Sequence, residues 1–208
     1  MKVYLIRHGM TKGNKEKRYV GRTDESLLES EKKSLETVTA PQVQRLYVSP
    51  MLRCIQTADC LWNQERKMAG TQEKIVVPEF AECDFGRFEY HNYQELSGSK
   101  EYQDWIESGG TLPFPGGESV EAFKRRCQQA FFRVMEEEWN KENRDVQIGL
   151  VVHGGTIMAV LDEFSSPHQD YFQWQCGNRE GYVCEVFFRE HTLVLTKIVR
   201  IGGGRWNG

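Results

Sequence analysis

Long apolar runs are missing from this 208-residue sequence. The first candidate, Val3 to Ile6, stops at Arg7-His8, far short of the ~20 residues of a membrane span or the roughly 7–15 of a signal-peptide core. No membrane partner is expected, and the expected location is cytoplasmic. A cationic surplus is missing too: 27 Lys plus Arg stand against 30 Asp plus Glu, for a net charge of −3, so nucleic acid is excluded as a partner on charge. The six cysteines (Cys54, Cys60, Cys83, Cys127, Cys176, Cys184) include no C-x-x-C pair. Neither a disulfide framework nor a zinc knuckle is signalled, and they read as free thiols, mostly in the core. There is no internal repeat, and Gly202-Gly-Gly204 lacks the following Lys-Ser/Thr of a phosphate loop. What is present, 39% hydrophobic and 12% aromatic residues with 27% charged, suits one compact domain spanning 1–208 with a sizeable core.

Short apolar runs alternate with helical patterns. Lys2 to Ile6 reads as a buried strand ending at a polar, Gly-marked loop, and Arg45 to Val48 as a second. Ser49-Pro50 then suits a helix start, Ser as N-cap and Pro at the first helical position, with helix over Met51 to Trp62. Lys74 to Val77 and Val146 to Val152 are further strands, the latter running into His153-Gly154-Gly155 and a helix over Thr156 to Phe164. In Ser119 to Trp139 the residues Val120, Phe123, Cys127, Ala130, Phe131 and Val134 share one helical face. Glu136, Glu137 and Glu138 are read as solvated on that helix. Tyr182 to Phe188 and Thr192 to Ile201 read as a closing hairpin or sheet edge. The expected fold is therefore α/β, with three α/β/α layers: a mostly parallel central sheet and helices on both faces. A cap-like, partly helical insertion around 85–118 is expected over one end of the sheet.

In an open α/β sheet, ligands bind beyond the carboxyl ends of the strands. There the sequence places Arg7 and His8, Arg53, Glu82 and His153. Any one of these alone reads as an ordinary surface-loop residue, but four strand ends each contributing a cation, imidazole or acid form a coherent set. Two guanidiniums and two imidazoles make an anion site, and the planar fork of Arg matches phosphate oxygens. A divalent metal on two His and one Glu would be repelled by the adjacent arginines. A neutral imidazole is a competent nucleophile near pH 7, so His8 could accept a phosphoryl group directly. A carboxyl group would then serve first as acid and later as base. Spacing alone leaves Glu82, Asp84 and Glu89 open for that role.

The motifs resemble those of the histidine phosphatase superfamily, which includes the cofactor-dependent phosphoglycerate mutases and their phosphatase relatives. Arg7-His-Gly-Met-Thr11 with Asn14 matches R-H-G-x-T-x-x-N. The match continues through Gly21-Arg-Thr-Asp24, Ser49-Pro-Met-Leu-Arg-Cys-Ile-Gln-Thr-Ala58, Phe80-Ala-Glu-Cys-Asp-Phe-Gly86, Pro115-Gly-Gly-Glu-Ser119 and His153-Gly154. The resemblance implies a phosphoglycerate mutase-like fold, with His8 as the phosphohistidine and Arg7, Arg53 and His153 as the phosphate pocket. It also implies Glu82 as proton donor, with Asn14, Gly21, Arg22 and Gly154 adding phosphate or substrate contacts. Two departures stand out: Asp24 to Glu31 lacks the family's Pro and Gly, and Tyr90 replaces the Gly that commonly follows Glu89.

The size of the chain and the segment Phe85 to Ser119 are similar to α-ribazole phosphatases of cobalamin synthesis and to broad-specificity phosphatases. The expected reaction is hydrolysis of a small-molecule phosphomonoester. A phosphoglycerate mutase and a non-catalytic phosphate-recognition protein are the alternatives. Phe85, Phe88, Tyr90, Tyr93, Tyr102 and Trp105 either line a pocket for a ring-bearing ester or, for most of them, anchor the insertion's own core. No cofactor or metal is implied, because the phosphoryl acceptor is a side chain and the counter-charges are arginines. Monomer and homodimer both stay open.

Overall fold

The computed structural model describes residues 1–62, 74–141 and 145–202. Among them, six strands form one sheet in the order β3-β2-β4-β1-β5-β6: β1 (Lys2–Arg7), β2 (Arg45–Val48), β3 (Lys74–Val76), β4 (Gln147–Val152), β5 (Gly181–Arg189) and β6 (Thr192–Ile201). The pairs β1–β4, β2–β4 and β2–β3 are parallel, whereas β5 runs antiparallel to both β1 and β6. The closing hairpin thus extends the sheet beyond β1. Gly203 and Gly204 lie outside the described residues.

Alternation along β1 explains the layering, because successive side chains of a strand face opposite sides of the sheet. Val3 and Leu5 join one core with Phe131 and Met135 of α6 (Val120–Trp139) and Ile157 and Leu161 of α7 (Gly154–Phe164). Tyr4 and Ile6 face Leu35 of α2 (Glu29–Leu35) and Leu61 of α3 (Leu52–Leu61). The α/β/α sandwich follows. Five of the cysteines are buried, Cys60 is half-buried, and all are free thiols.

Three local expectations change. The helix after β2 is capped at Met51, without a side-chain bond, and starts at Leu52. Asp24 Oδ1 instead accepts the Leu52 N–H at 2.7 Å, so a distant loop supplies what Ser49 was expected to give. Helix α7 begins two residues early, at Gly154, with His153 as its N-cap. Glu138 is not solvated: it is 1% exposed and accepts the Tyr47 hydroxyl at 2.6 Å and Lys141 Nζ at 2.5 Å.

The segment 85–118 holds a 3-10 turn (Gly86–Phe88) and the short helices α4 (Tyr93–Leu96) and α5 (Lys100–Glu107). Phe88, Leu96, Tyr102 and Phe114 make a separate apolar cluster with Phe123 and Cys127 of α6. Helix α1 (Lys12–Lys15) follows β1 and is closed by a capping box between Thr11 and Asn14.

Candidate active site

Strand β1 ends at Arg7, and the chain turns immediately through His8. The imidazole is 3% exposed, and its Nδ1 lies 2.7 Å from the Gly9 carbonyl oxygen. A carbonyl can only accept, so Nδ1 carries the proton and Nε2 keeps its lone pair. Burial, then the charges of Arg53 and Arg7, hold the His8 pKa well below 6.5, which keeps that lone pair free at neutral pH. Backbone bonds fix the ring's base: the His8 N–H donates to Val152 O at 3.0 Å, and Asn178 Nδ2 donates to His8 O at 3.1 Å.

His153 follows the end of β4 as the N-cap of α7, fully buried, with its ring centroid 5.2 Å from that of His8 and the planes at 67°. Its Nε2 is 2.8 Å from Ser49 Oγ, and its Nδ1 is 3.8 Å from Glu82 Oε2. Burial, with Arg53 next, also lowers its pKa well below 6.5. Helix α7 leaves from this point with no side-chain cap and no acid in its first turn, so its positive end adds to the local field.

Arg53, in the first turn of α3, is 0% exposed. Its fork does not point free: Nη1 donates to Thr23 O at 2.9 Å, and Nη2 to Val20 O and Gly21 O at 3.2 and 3.0 Å. Arg7 Nη1 donates to Cys176 O at 2.7 Å. Among the described residues the buried Nε of both arginines has no hydrogen-bond partner. Unmet buried donors on permanently charged groups are costly, and an anion accepting from both would remove the cost.

Tertiary contacts separate the three carboxylates that spacing left open. Glu89 accepts the N–H groups of Gly21 and Thr23 at 3.0 and 2.9 Å, and Asp84 pairs with Arg22 at 3.0 Å and accepts the Gly86 N–H. Glu82 lies against His153, its side chain 13% exposed, accepting the Cys83 N–H at 3.0 Å. Burial raises its pKa above 4.5, opposed by that N–H and by Arg53, Arg7 and Arg126. Gly155 makes room for it: a Cβ there would stand 3.0 Å from Glu82 Oε1 and from the Phe123 ring.

A cavity of about 680 Å³ opens beside this group, with Arg7, Glu82, Gly154, Tyr19, Phe85 and Arg200 among its lining. Of the expected contacts, Gly154 reaches the cavity, while Gly21 and Arg22 are bonded elsewhere, to Glu89 with Arg53 and to Asp84 respectively. Gly21 is needed for close approach, since a Cβ there would stand 2.0 Å from Cys83 O. Asn14 Oδ1 accepts from Thr11 N–H and from Asn178 Nδ2, bracing the His8 loop. Of the insertion's aromatics only Phe85 lines the cavity; Phe88 and Tyr102 are core. Sequence reading missed Ser49 as a histidine partner, and missed Asn178 and Tyr19. Ser49 sat inside a recognised motif, whereas nothing in local spacing marks the other two. Among the described residues no group of three or more His, Cys, Asp or Glu is placed to hold a metal ion, and no helix is long and apolar enough to cross a membrane.

A fold whose strand ends gather cations, imidazoles and one buried acid defines an anion-handling α/β protein. The family model for the histidine phosphatase superfamily (branch 1) matches residues 3–199, and the chain belongs to that superfamily. It is a phosphatase enzyme. Phosphoserine phosphatase 1 of Hydrogenobacter thermophilus is 27% identical over 148 residues, covering 68% of this chain and 67% of the relative. The crystal structure of the α-ribazole phosphatase from Shigella flexneri superposes with a TM-score of 0.74 at 19% identity, covering 94% of this chain and 95% of that one. That of a phosphoglycerate mutase from Thermus thermophilus gives 0.62 at 25% identity, over 96% and 98%.

Proposed function

We propose that the chain hydrolyses a small phosphomonoester through a phosphohistidine at His8. The observation that carries this reading is the neutral, Nδ1-protonated His8 beside two arginines whose buried Nε–H groups lack partners among the described residues. In the first step the Nε2 lone pair of His8 forms a bond to phosphorus as the P–O bond to the alcohol breaks. Protonated Glu82 gives its proton to the departing oxygen. Arg7, Arg53 and His153 meet the charge on the equatorial oxygens, helped by the positive end of α7. In the second step a water attacks phospho-His8 and Glu82, now a carboxylate, takes its proton. The N–P bond breaks, inorganic phosphate leaves, and both residues return to their starting forms.

For substrate, the segment 85–118 acts as a cap on a single domain, contributing Phe85 to the cavity. A volume of about 680 Å³ exceeds what a three-carbon ester needs and lies within the ~300–1,000 Å³ of small-molecule sites. Tyr19 and Phe85, edge to face at 5.3 Å, would offer a ring-bearing leaving group an aromatic wall. This favours an ester such as α-ribazole phosphate over phosphoglycerate isomerisation, which needs a closed, dry site.

Rapid acid-free quenching during turnover should trap an acid-labile phosphoryl group on the wild type and none on His8→Ala. That variant should lose on the order of ten-thousandfold in kcat. Full activity in His8→Ala would end the proposal. Phosphate release from α-ribazole phosphate, phosphoserine, phosphoglycerate and sugar phosphates ranks the substrates, and isomerisation outpacing release would favour a mutase.

A further inference from the structure

Helix α6 carries Arg126 beside the loop that delivers Glu82. Its Nη1 donates to the carbonyls of Glu79 and Ala81, each at 2.7 Å, and its Nη2 to the carbonyl of Glu82 itself at 3.0 Å. The Nε and Nη2 groups also bond both oxygens of Glu118, at 2.8 and 2.9 Å. The guanidinium carbon lies 5.0 Å from the Phe123 ring centre. No lysine could replace this planar set of donors.

Glu118 belongs to Pro115-Gly-Gly-Glu-Ser119, a motif to which the chemistry above gives no role. That motif grips the other side of the same loop. Glu118 N–H donates to Asp84 O at 2.9 Å, and Arg87 N–H to Pro115 O at 2.8 Å. Contact is so close that a Cβ on Gly117 would stand 2.3 Å from Asp84 O. The backbone is therefore clamped at 79–82 by Arg126 and at 84–87 by the motif, with Glu82 at the end of the first stretch.

We propose that Arg126, locked by Glu118, is a positioning residue that holds the Glu82 carboxyl in line with the departing oxygen. The inference rests on the reading of Glu82 as the proton donor. Its physical basis is that proton transfer requires hydrogen-bond reach, and misplacement by about 1 Å costs on the order of a hundredfold. The Arg126 charge also opposes the burial that raises the Glu82 pKa, so its removal should move the alkaline limb of the kcat profile to higher pH.

The test compares an alkyl phosphate, whose leaving oxygen needs a proton, with p-nitrophenyl phosphate, whose leaving oxygen does not. Because hydrolysis of phospho-His8 is common to both esters and uses Glu82 as base, the readout is leaving-group release in a single turnover, whose rate Arg126→Met should lower roughly a hundredfold for the alkyl ester and only about threefold for the aryl ester. Arg126→Lys, retaining charge without the fork, should fall between. In a Glu82→Gln background Arg126→Met should add nothing for either ester. Equal losses on both esters, or a full additional loss in that background, would overturn the positioning role. Should Arg126→Met fail to fold, Glu118→Gln tests the same clamp, with an alkyl-selective loss of about fivefold expected. If Glu82→Gln itself slowed single-turnover release from both esters equally, the proton-donor reading would fall and this inference with it.

Discussion

The strand-end site and the insertion at 85–118 treat their charged groups in opposite ways. At the strand ends, Arg7 and Arg53 keep buried Nε–H groups without partners among the described residues, and His8 and His153 are buried as neutral rings. In the insertion, Arg87 pairs with Glu101 and Lys100 with Asp104 at the surface, while Phe88, Tyr102 and Phe114 supply the packing. The insertion pairs these charges and leaves only a neutral buried donor, Trp105 Nε1, without a partner among the described residues; the strand ends leave charged donors so. Polar groups left unmet in a fold are the ones an external ligand can satisfy, at a cost in stability that the rest of the structure carries.

Single substitutions should split along that line. Arg7→Met should lower kcat/KM by about a hundred- to a thousandfold while moving Tm by only a few degrees, because the lost bond to Cys176 O is offset by removal of an unmet donor beside like charges. A large fall in Tm would show that Arg7 is structural. Phe88→Ala is the mirror image. It empties a site 1% exposed and should cost about 3–5 kcal/mol in denaturant unfolding, with kcat near wild type wherever the protein remains folded. A proportionate loss of kcat in folded protein would erase the distinction between the two regions.

The smallest effect is on pH-dependent stability. His8 and His153 have folded pKa values depressed below 6.5. As pH falls through 6.5 the unfolded chain binds protons that the folded chain refuses, so stability declines until the folded pKa values are reached. Glu82 works with the opposite sign: its raised pKa means a stability contribution lost as pH rises from 4.5 through the folded value. The wild type should therefore weaken between about pH 6.5 and 5, more steeply in Glu82→Gln and less in His8→Asn/His153→Asn. Identical slopes in all three, measured by urea midpoints, would detach these groups from the stability balance.

The positions of Arg7, His8, Arg53 and His153 were legible because each depends on a local pattern, an apolar run ending at a polar residue, and the sheet then brings those ends together. The choice of Glu82 over Asp84 and Glu89 was not legible from spacing alone. It turns on Gly21, Thr23 and Arg22, which occupy the other two carboxylates from more than sixty positions away. The same reason hides Asp24 as the cap of α3 and Ser49 as the partner of His153. Tyr90, at φ +61° where the family commonly has Gly, is held there by its hydroxyl on Glu25 and by Arg18 over its ring.

The sequence by itself determined the α/β order of elements, the residues at the strand ends and the family, since apolar periodicity and contiguous motifs are properties of neighbouring residues. The tertiary structure decided which carboxylate is free to meet a substrate, which arginine donors lack partners among the described residues and which aromatics face the cavity. Those depend on hydrogen bonds between loops distant in the chain, and a donor or carboxylate already bonded inside the protein is not available to a ligand.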